Sequence, residues 1–313
     1  MRKSILVLLL ACSATSVSQD NASSMPTPPP QVKTEIKCDA DPKELIRTSS
    51  EKDTQNRVRE RNYTYIERQE THELAGDGSV KKTEVRTYEH FVIYGTPVQR
   101  LIAKDDKPLD EKEARKEEER IQKVIDKHKG ESEEDRRKNE AKLDKEREEE
   151  RKVNHELVDA FDYKLMPEVE IDGRTACVYE FTPKLGYQPK EKETKYLVKT
   201  KGHAWIDKRE LQMIKLEAEF IDSVSWGWFL AKLSKGSRVD VEQVKVNDDV
   251  WLPKHVAVKV DAKFLVFKHF NMDIDITYKD YKKFNASSKI SVVGEAEEKK
   301  DEIAPATTPI KKN

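Results

Sequence analysis

A chain of 313 residues with 59 Lys and Arg against 60 Asp and Glu carries a formal net charge of −1. That balance excludes the net basic surface on which nucleic-acid binding depends, and a hydrophobic content of 36% suffices for one core of modest size. Beyond the first dozen residues, no stretch approaches the roughly 20 apolar residues of a membrane-crossing helix.

The N-terminus, "MRKSILVLLLACSATSVSQD", reads as an export signal within residues 1–18, with Arg2 and Lys3 before a short apolar run from Ile5 to Ala11. Two processing routes stay open. "LLAC", Leu9 to Cys12, resembles a bacterial lipobox, which would make Cys12 the lipidated mature N-terminus and the protein a peripheral membrane protein. Alternatively, cleavage falls at small residues near Ala14 or Ser18 and releases a soluble chain. Either route leaves Cys38 and Cys177, an even pair that can bridge in an oxidising compartment or stay as two buried thiols.

Residues 19–37 are rich in Ser and Pro and read as a flexible linker. A single domain is expected over 38–293, followed by a tail at 294–313 with the composition of disorder. Asp41-Pro42 is an N-cap and first-turn pair that opens one or two short helices. From Tyr63 the period becomes two. "NYTYIERQETHEL" and "TEVRTYEHFVIY" flank Asp77-Gly78, a hairpin turn, and "GTPVQRLIAKDDKPL" continues the meander.

Residues 110–157 are mostly charged, with acidic and basic residues interleaved at i,i+3 and i,i+4. Gly130 interrupts the run, and "SEED" at Ser132–Asp135 starts a second helix. The expectation is a solvated helical hairpin inserted at about 110–160. A partner-binding coiled coil is the alternative, but sustained heptads are missing.

Strands return after Leu165 and run to Phe284. "TKYLVKT" reads as a strand, and "GHAWIDKRELQMIKLEAEF" as two strands around the turn "DKRE". Ile214, Leu216, Ala218 and Phe220 alternate with Lys215, Glu217 and Glu219, as in a sheet with one dry side. "SVSWGWFLAKLSKGS" suits a short amphipathic helix or a lid carrying Trp226, Trp228 and Phe229. A hairpin across Asn247-Asp248 then brings Val256, Val258 and Val260 into phase, followed by Ile274, Ile276 and Tyr278. The predicted class is mainly β with helices (α+β): about eight to eleven antiparallel strands, too many for one flat open sheet, and so strongly curved or partly closed.

Chemistry is sparse. "HELVD", His155 to Asp159, is half a metalloprotease motif with Asp159 where the second His belongs. The seven histidines show no ligand spacing, so no metal or cofactor is expected. Asp273 and Asp275 share a strand face, but solvated faces commonly carry such pairs. No enzymatic activity is expected. All four tryptophans lie between Trp205 and Trp251, which suits either a plain core or an aromatic-lined pocket.

An N-terminal helix, a strand meander, "GHAWID", "LQMIKLEAEF" and a "WLP" strand (Trp251 to Pro253) together resemble the LolA/LolB-like outer-membrane lipoprotein-sorting superfamily over about 40–110 and 160–284. The charged hairpin is foreign to that pattern. The resemblance implies an unclosed, curved antiparallel barrel with capping helices, located in the periplasm or anchored at the outer membrane. It implies a concave apolar face that takes an acyl chain of a lipid or lipoprotein, with Trp205, Ile214, Leu216, Phe220, Val256 and Val258 as the wall. The second reading is an envelope interaction module that contacts another protein through residues 110–157.

Overall fold

The computed structural model describes residues 37–93, 96–226, 231–264 and 268–283. Helix α1 (Pro42–Glu60) is one helix of 19 residues, started by Asp41, whose side chain accepts from Lys43 N at 3.0 Å. Strands β1 (Tyr63–Leu74), β2 (Val80–Ile93), β3 (Thr96–Lys104) and β4 (Lys107–Pro108) form a meander. Helices α2 (Glu111–Lys129) and α3 (Glu133–Ala160) make the charged hairpin, capped by Asp110 and Ser132. Then come β5 (Phe161–Ile171), β6 (Arg174–Pro183), the single turn α4 (Thr194–Leu197), β7 (Thr200–Asp207) and β8 (Met213–Phe220). Short β9 (Val224–Trp226) and β10 (Ala231–Leu233) precede β11 (Arg238–Val246), β12 (Val250–Phe264) and β13 (Lys268–Lys283).

Two of these elements differ from the sequence reading. "TKYLVKT" is a helical turn that enters β7 only at Thr200, because the Glu193 and Thr194 carbonyls accept the Leu197 and Val198 amides. The flanks of the tryptophan-rich segment are strands rather than a helix, with Ala231 paired to Trp226 and Leu233 to Val224. Several tight turns carry the positive φ that a two-residue connection demands. These are Asp105-Asp106 (49° and 57°), Asp172-Gly173 (50° and 74°) and Asn247-Asp248 (52° and 54°).

Among the described residues, the 13 strands form one curved antiparallel sheet that does not close into a barrel. Its main path is β4-β3-β2-β1-β13-β12-β11-β8-β7-β6-β5. The hairpin α2–α3 therefore carries the chain from one edge of the sheet to the other. It also treats the free edge at β3. Glu117 accepts from Leu101 N at 2.8 Å, and Arg120 donates to Gln99 O, so helix side chains take the place of a missing strand. The opposite edge, β5, carries Pro167 and charged Lys164, Glu168 and Glu170, which discourage pairing with another chain.

Register sorts the residues by face, since directly opposed side chains share a side. One row reads Tyr179, Ala204, Leu216, Val241, Val256 and Ile276 across β6, β7, β8, β11, β12 and β13. Its neighbour reads Phe181, Gly202, Ala218, Val239, Val258 and Ile274. The opposite face is charged: Lys215 meets Glu217 at 3.0 Å, Arg238 meets Asp240 at 2.9 Å, and His255 Nε2 lies 2.7 Å from Asp275.

Candidate functional site

The apolar side of the sheet is covered unevenly. At the β6–β7 end, α1 lies across it: Cys38 and Leu45 pack with Cys177, Tyr179 and Ile206. A disulfide joins Cys38 to Cys177, with the Cα atoms 5.4 Å apart, and Tyr179 OH donates to Cys38 O at 2.8 Å. At its far end, α1 is pinned by Asn56, which accepts from Trp251 N at 2.7 Å and donates to Trp251 O. Next to this, Ala160 and Leu157 of α3 and Tyr187 and Val198 cluster with Phe181, Leu216 and Ala218.

Gly202 is required by that packing. A Cβ there would sit 1.8 Å from Glu217 O and 2.9 Å from Phe181 Cζ. The ring of Phe181 occupies the space that a side chain at 202 would need, which is how an interior glycine is tolerated in a strand.

The six wall residues expected from the sequence fall into two groups. Leu216, Phe220, Val256 and Val258 lie on the apolar side; Phe220, Val256 and Val258 are buried and Leu216 is half-buried. Trp205 points to the other side, opposite Lys215, whose Nζ stands 4.9 Å from the ring centroid. Ile214 leaves the alternation because β8 bulges: Trp205 pairs with Lys215 but Ile206 with Met213, so one extra residue sits between them. Ile214 packs instead with Ala176, Trp251 and Trp205. Cys12, Trp228 and Phe229 lie outside the described residues, and of Trp226 only the backbone, in β9, is described.

Polar residues that the sequence left unassigned have clear duties. Glu210, in the β7–β8 turn, accepts from Trp251 Nε1 at 2.9 Å and pairs with Lys245 and Arg174. Burial pushes its carboxyl up, but these donors win and hold it down at about 2. Arg174 also grips buried Asp207 through two hydrogen bonds of 2.7 and 3.0 Å. Glu156, from the "HELVD" segment, clamps a loop: it accepts from Glu191 N at 2.8 Å, from Lys190 N and from Tyr187 OH. His155 beside it is exposed, and Asp159 pairs with Lys43 and Arg47 of α1. Among the described residues, no group of three or more His, Cys, Asp or Glu could hold a metal ion. Asp273 and Asp275 lie on the charged face, opposite in phase to Ile274 and Ile276.

A cavity of about 660 Å³ opens elsewhere, between α2 and strands β2 and β3. Val98, Leu101 and Val124 supply apolar wall, and Arg86, Arg120 and Lys127 supply cationic groups. Nothing in the sequence announced it, because the space is set by how a remote helix seats on two strands.

No helix of the described residues is long and apolar enough to cross a membrane. No family model matches the chain, and no curated protein matches it. Among solved structures it is similar to a domain described as outer membrane lipoprotein-sorting from Vibrio parahaemolyticus, with 11% identity, TM-score 0.31, and 78% of this chain and 95% of that one covered. It is similar to a DUF1329 family protein from Desulfovibrio piger, with 14% identity, TM-score 0.28, and 79% and 93% covered. A LolA superfamily protein from Nitrosomonas europaea follows at 9% identity and TM-score 0.27, with 77% and 92% covered. The fold assigned to this chain rests on its own strand order and pairing; of the three neighbours, two carry lipoprotein-sorting or LolA-superfamily descriptions.

Proposed function

We propose that this protein is an exported, non-catalytic envelope protein that binds an acyl chain of a lipid or lipoprotein on the apolar side of its curved sheet. The observation that carries this reading is the pair of apolar rows across β6–β13, set against a charged opposite face. Leu216, Ala218, Val239, Val241 and Ile274 are only half-buried, so the rows retain apolar surface for a ligand. Each CH₂ laid there contributes roughly 0.8 kcal/mol, and a 16-carbon chain on the order of 10 kcal/mol. Leu216, Phe220, Val256 and Val258 form the wall, and the segment carrying Trp226, Trp228 and Phe229 is the lid. Lipidation at Cys12 would tether the domain to a membrane through residues 19–37. Native mass spectrometry of protein purified from the envelope should show a co-bound lipid; a bare mass in repeated preparations sinks the proposal.

One observation favours a second reading. Phe220, Val256 and Val258 are 5%, 4% and 6% exposed, as expected of a filled core. In that case the sheet is scaffold, and the charged hairpin of residues 110–157 contacts an envelope partner. A bare mass together with co-purification of an envelope protein that is lost on deleting the hairpin would select this reading over the first.

A further inference from the structure

We infer that the cavity between α2 and strands β2–β3 is a binding site for an amphiphile with an anionic, phosphate-bearing head. Its volume of about 660 Å³ lies within the range of small-molecule sites. The lining combines the two chemistries such a ligand needs: Val98, Leu101 and Val124 for a tail, and Arg86 and Lys127 for a head. His128 also lines the cavity, with its Nδ1 3.3 Å from Glu131.

The charge balance selects an anion. The one carboxylate in the lining is Glu117, and it is already engaged. It accepts from Leu101 N at 2.8 Å and from Arg120 Nη2 and Nε at 2.7 and 2.9 Å. Arg86 pairs with Glu84 and is held by a hydrogen bond to Tyr88, which lines the same cavity. Lys127 enters no ion pair among them and is exposed at the mouth. Arginine and lysine side chains on one lining suit a phosphate oxygen better than a neutral group. Placement on the sheet agrees. Arg86 stands in the same cross-strand row as Gln69, Ile276 and Val256, so the apolar side of the sheet becomes charged as it reaches β2. The cavity residues are distinct from the wall on β8 and β12, so the site stands whether or not that wall holds an acyl chain.

The test is calorimetric titration of the full chain with dodecyl phosphate, dodecyl maltoside and inorganic phosphate, each below any micelle concentration. Dodecyl phosphate should bind at least tenfold tighter than either control, and Lys127→Gln should weaken it about fivefold, with Arg86→Gln at least as damaging. Neither residue anchors the hairpin, and unchanged melting curves verify that both variants fold. Equal binding of phosphate and maltoside amphiphiles, insensitive to both substitutions, would overturn the anionic head. Inorganic phosphate binding as tightly as dodecyl phosphate would overturn the tail wall and leave a soluble phosphate site. Absence of binding by all three would overturn the site itself.

Discussion

The two ends of the sheet are both roofed by highly charged helices, yet one end is solid and the other hollow. Under α1, Leu45 and Cys38 meet Cys177, Tyr179 and Ile206, and all five side chains are buried. Under α2, Ile121 packs against Ile93 and Val98, but the neighbouring turns carry Glu117, Arg120 and Lys127 and leave a cavity. Neither helix has enough apolar residues to seal a sheet by burial alone. At the first end, covalent and polar anchors make up the shortfall: the disulfide and the double hydrogen bond of Asn56 to Trp251. At the second, charged side chains reaching the β3 edge supplement Ile121, and the space between α2 and strands β2–β3 stays open. Whether a sheet face becomes core or site thus depends on the kind of anchor more than on the sheet.

The sharpest way to break this contrast is to remove the covalent anchor. The bridge closes a loop with a sequence separation of 139 residues, so Cys38→Ser should cost about 4–5 kcal/mol in denaturant unfolding. Amide exchange at Leu101, on the α2 side, should change little, because its acceptor Glu117 is untouched. A loss below about 1 kcal/mol would show that α1 is held by packing alone, and the two ends would then differ less than proposed. The next largest effect tests the solid end from the sheet side. Gly202→Ala forces Cβ against Glu217 O and Phe181, so β7 and β8 must part at that point. About 3 kcal/mol should be lost, read as a lower midpoint of thermal unfolding. A substitution tolerated at no cost would show that the packing around Phe181 is loose.

Much of this architecture is legible in the sequence because its signals are local. Asp77-Gly78 and Asn247-Asp248 mark turns with positive φ, and the interleaved charges around Gly130 mark two helices. The alternation in Leu216, Ala218 and Phe220 marks the dry side of β8. Bulges are not legible: an extra residue between Lys215 and Met213 leaves no trace in composition, yet it moves Ile214 out of phase and separates it from Leu216. Trp205 falls outside the apolar rows for a related reason, since an aromatic residue on a charged face is stabilised by Lys215 over its ring, a contact from the neighbouring strand. The cavity under α2 and the duties of Glu156 and Glu210 arise from segments far apart in the chain, and no periodicity encodes them.

The smallest expected effect sharpens the contrast by its sign. Glu60 ends α1, and burial pushes its carboxyl up to about 7; Asp53 adds to this, while Arg57 and Arg61 oppose it. A folded pKa above the unfolded value of 4.5 means that the folded state binds more protons between those two values. This contribution to stability is therefore complete below pH 4.5 and is lost as pH rises through 7. Glu117 of α2 behaves in the opposite sense. Burial raises its carboxyl, but Arg120 and the Leu101 N–H outweigh that and lower it, so its contribution is present near neutrality and fades as pH falls into the acid range. Unfolding midpoints at pH 5 and pH 8 separate the two. Part of the Glu60 side chain is exposed, so Glu60→Gln should gain only on the order of 1 kcal/mol at pH 8 relative to pH 5. Glu117→Gln should lose stability at both values and gain nothing at pH 8. If both variants shifted with the same sign, the two helices would be held by the same kind of contact, and the distinction between the solid and the hollow end would fail.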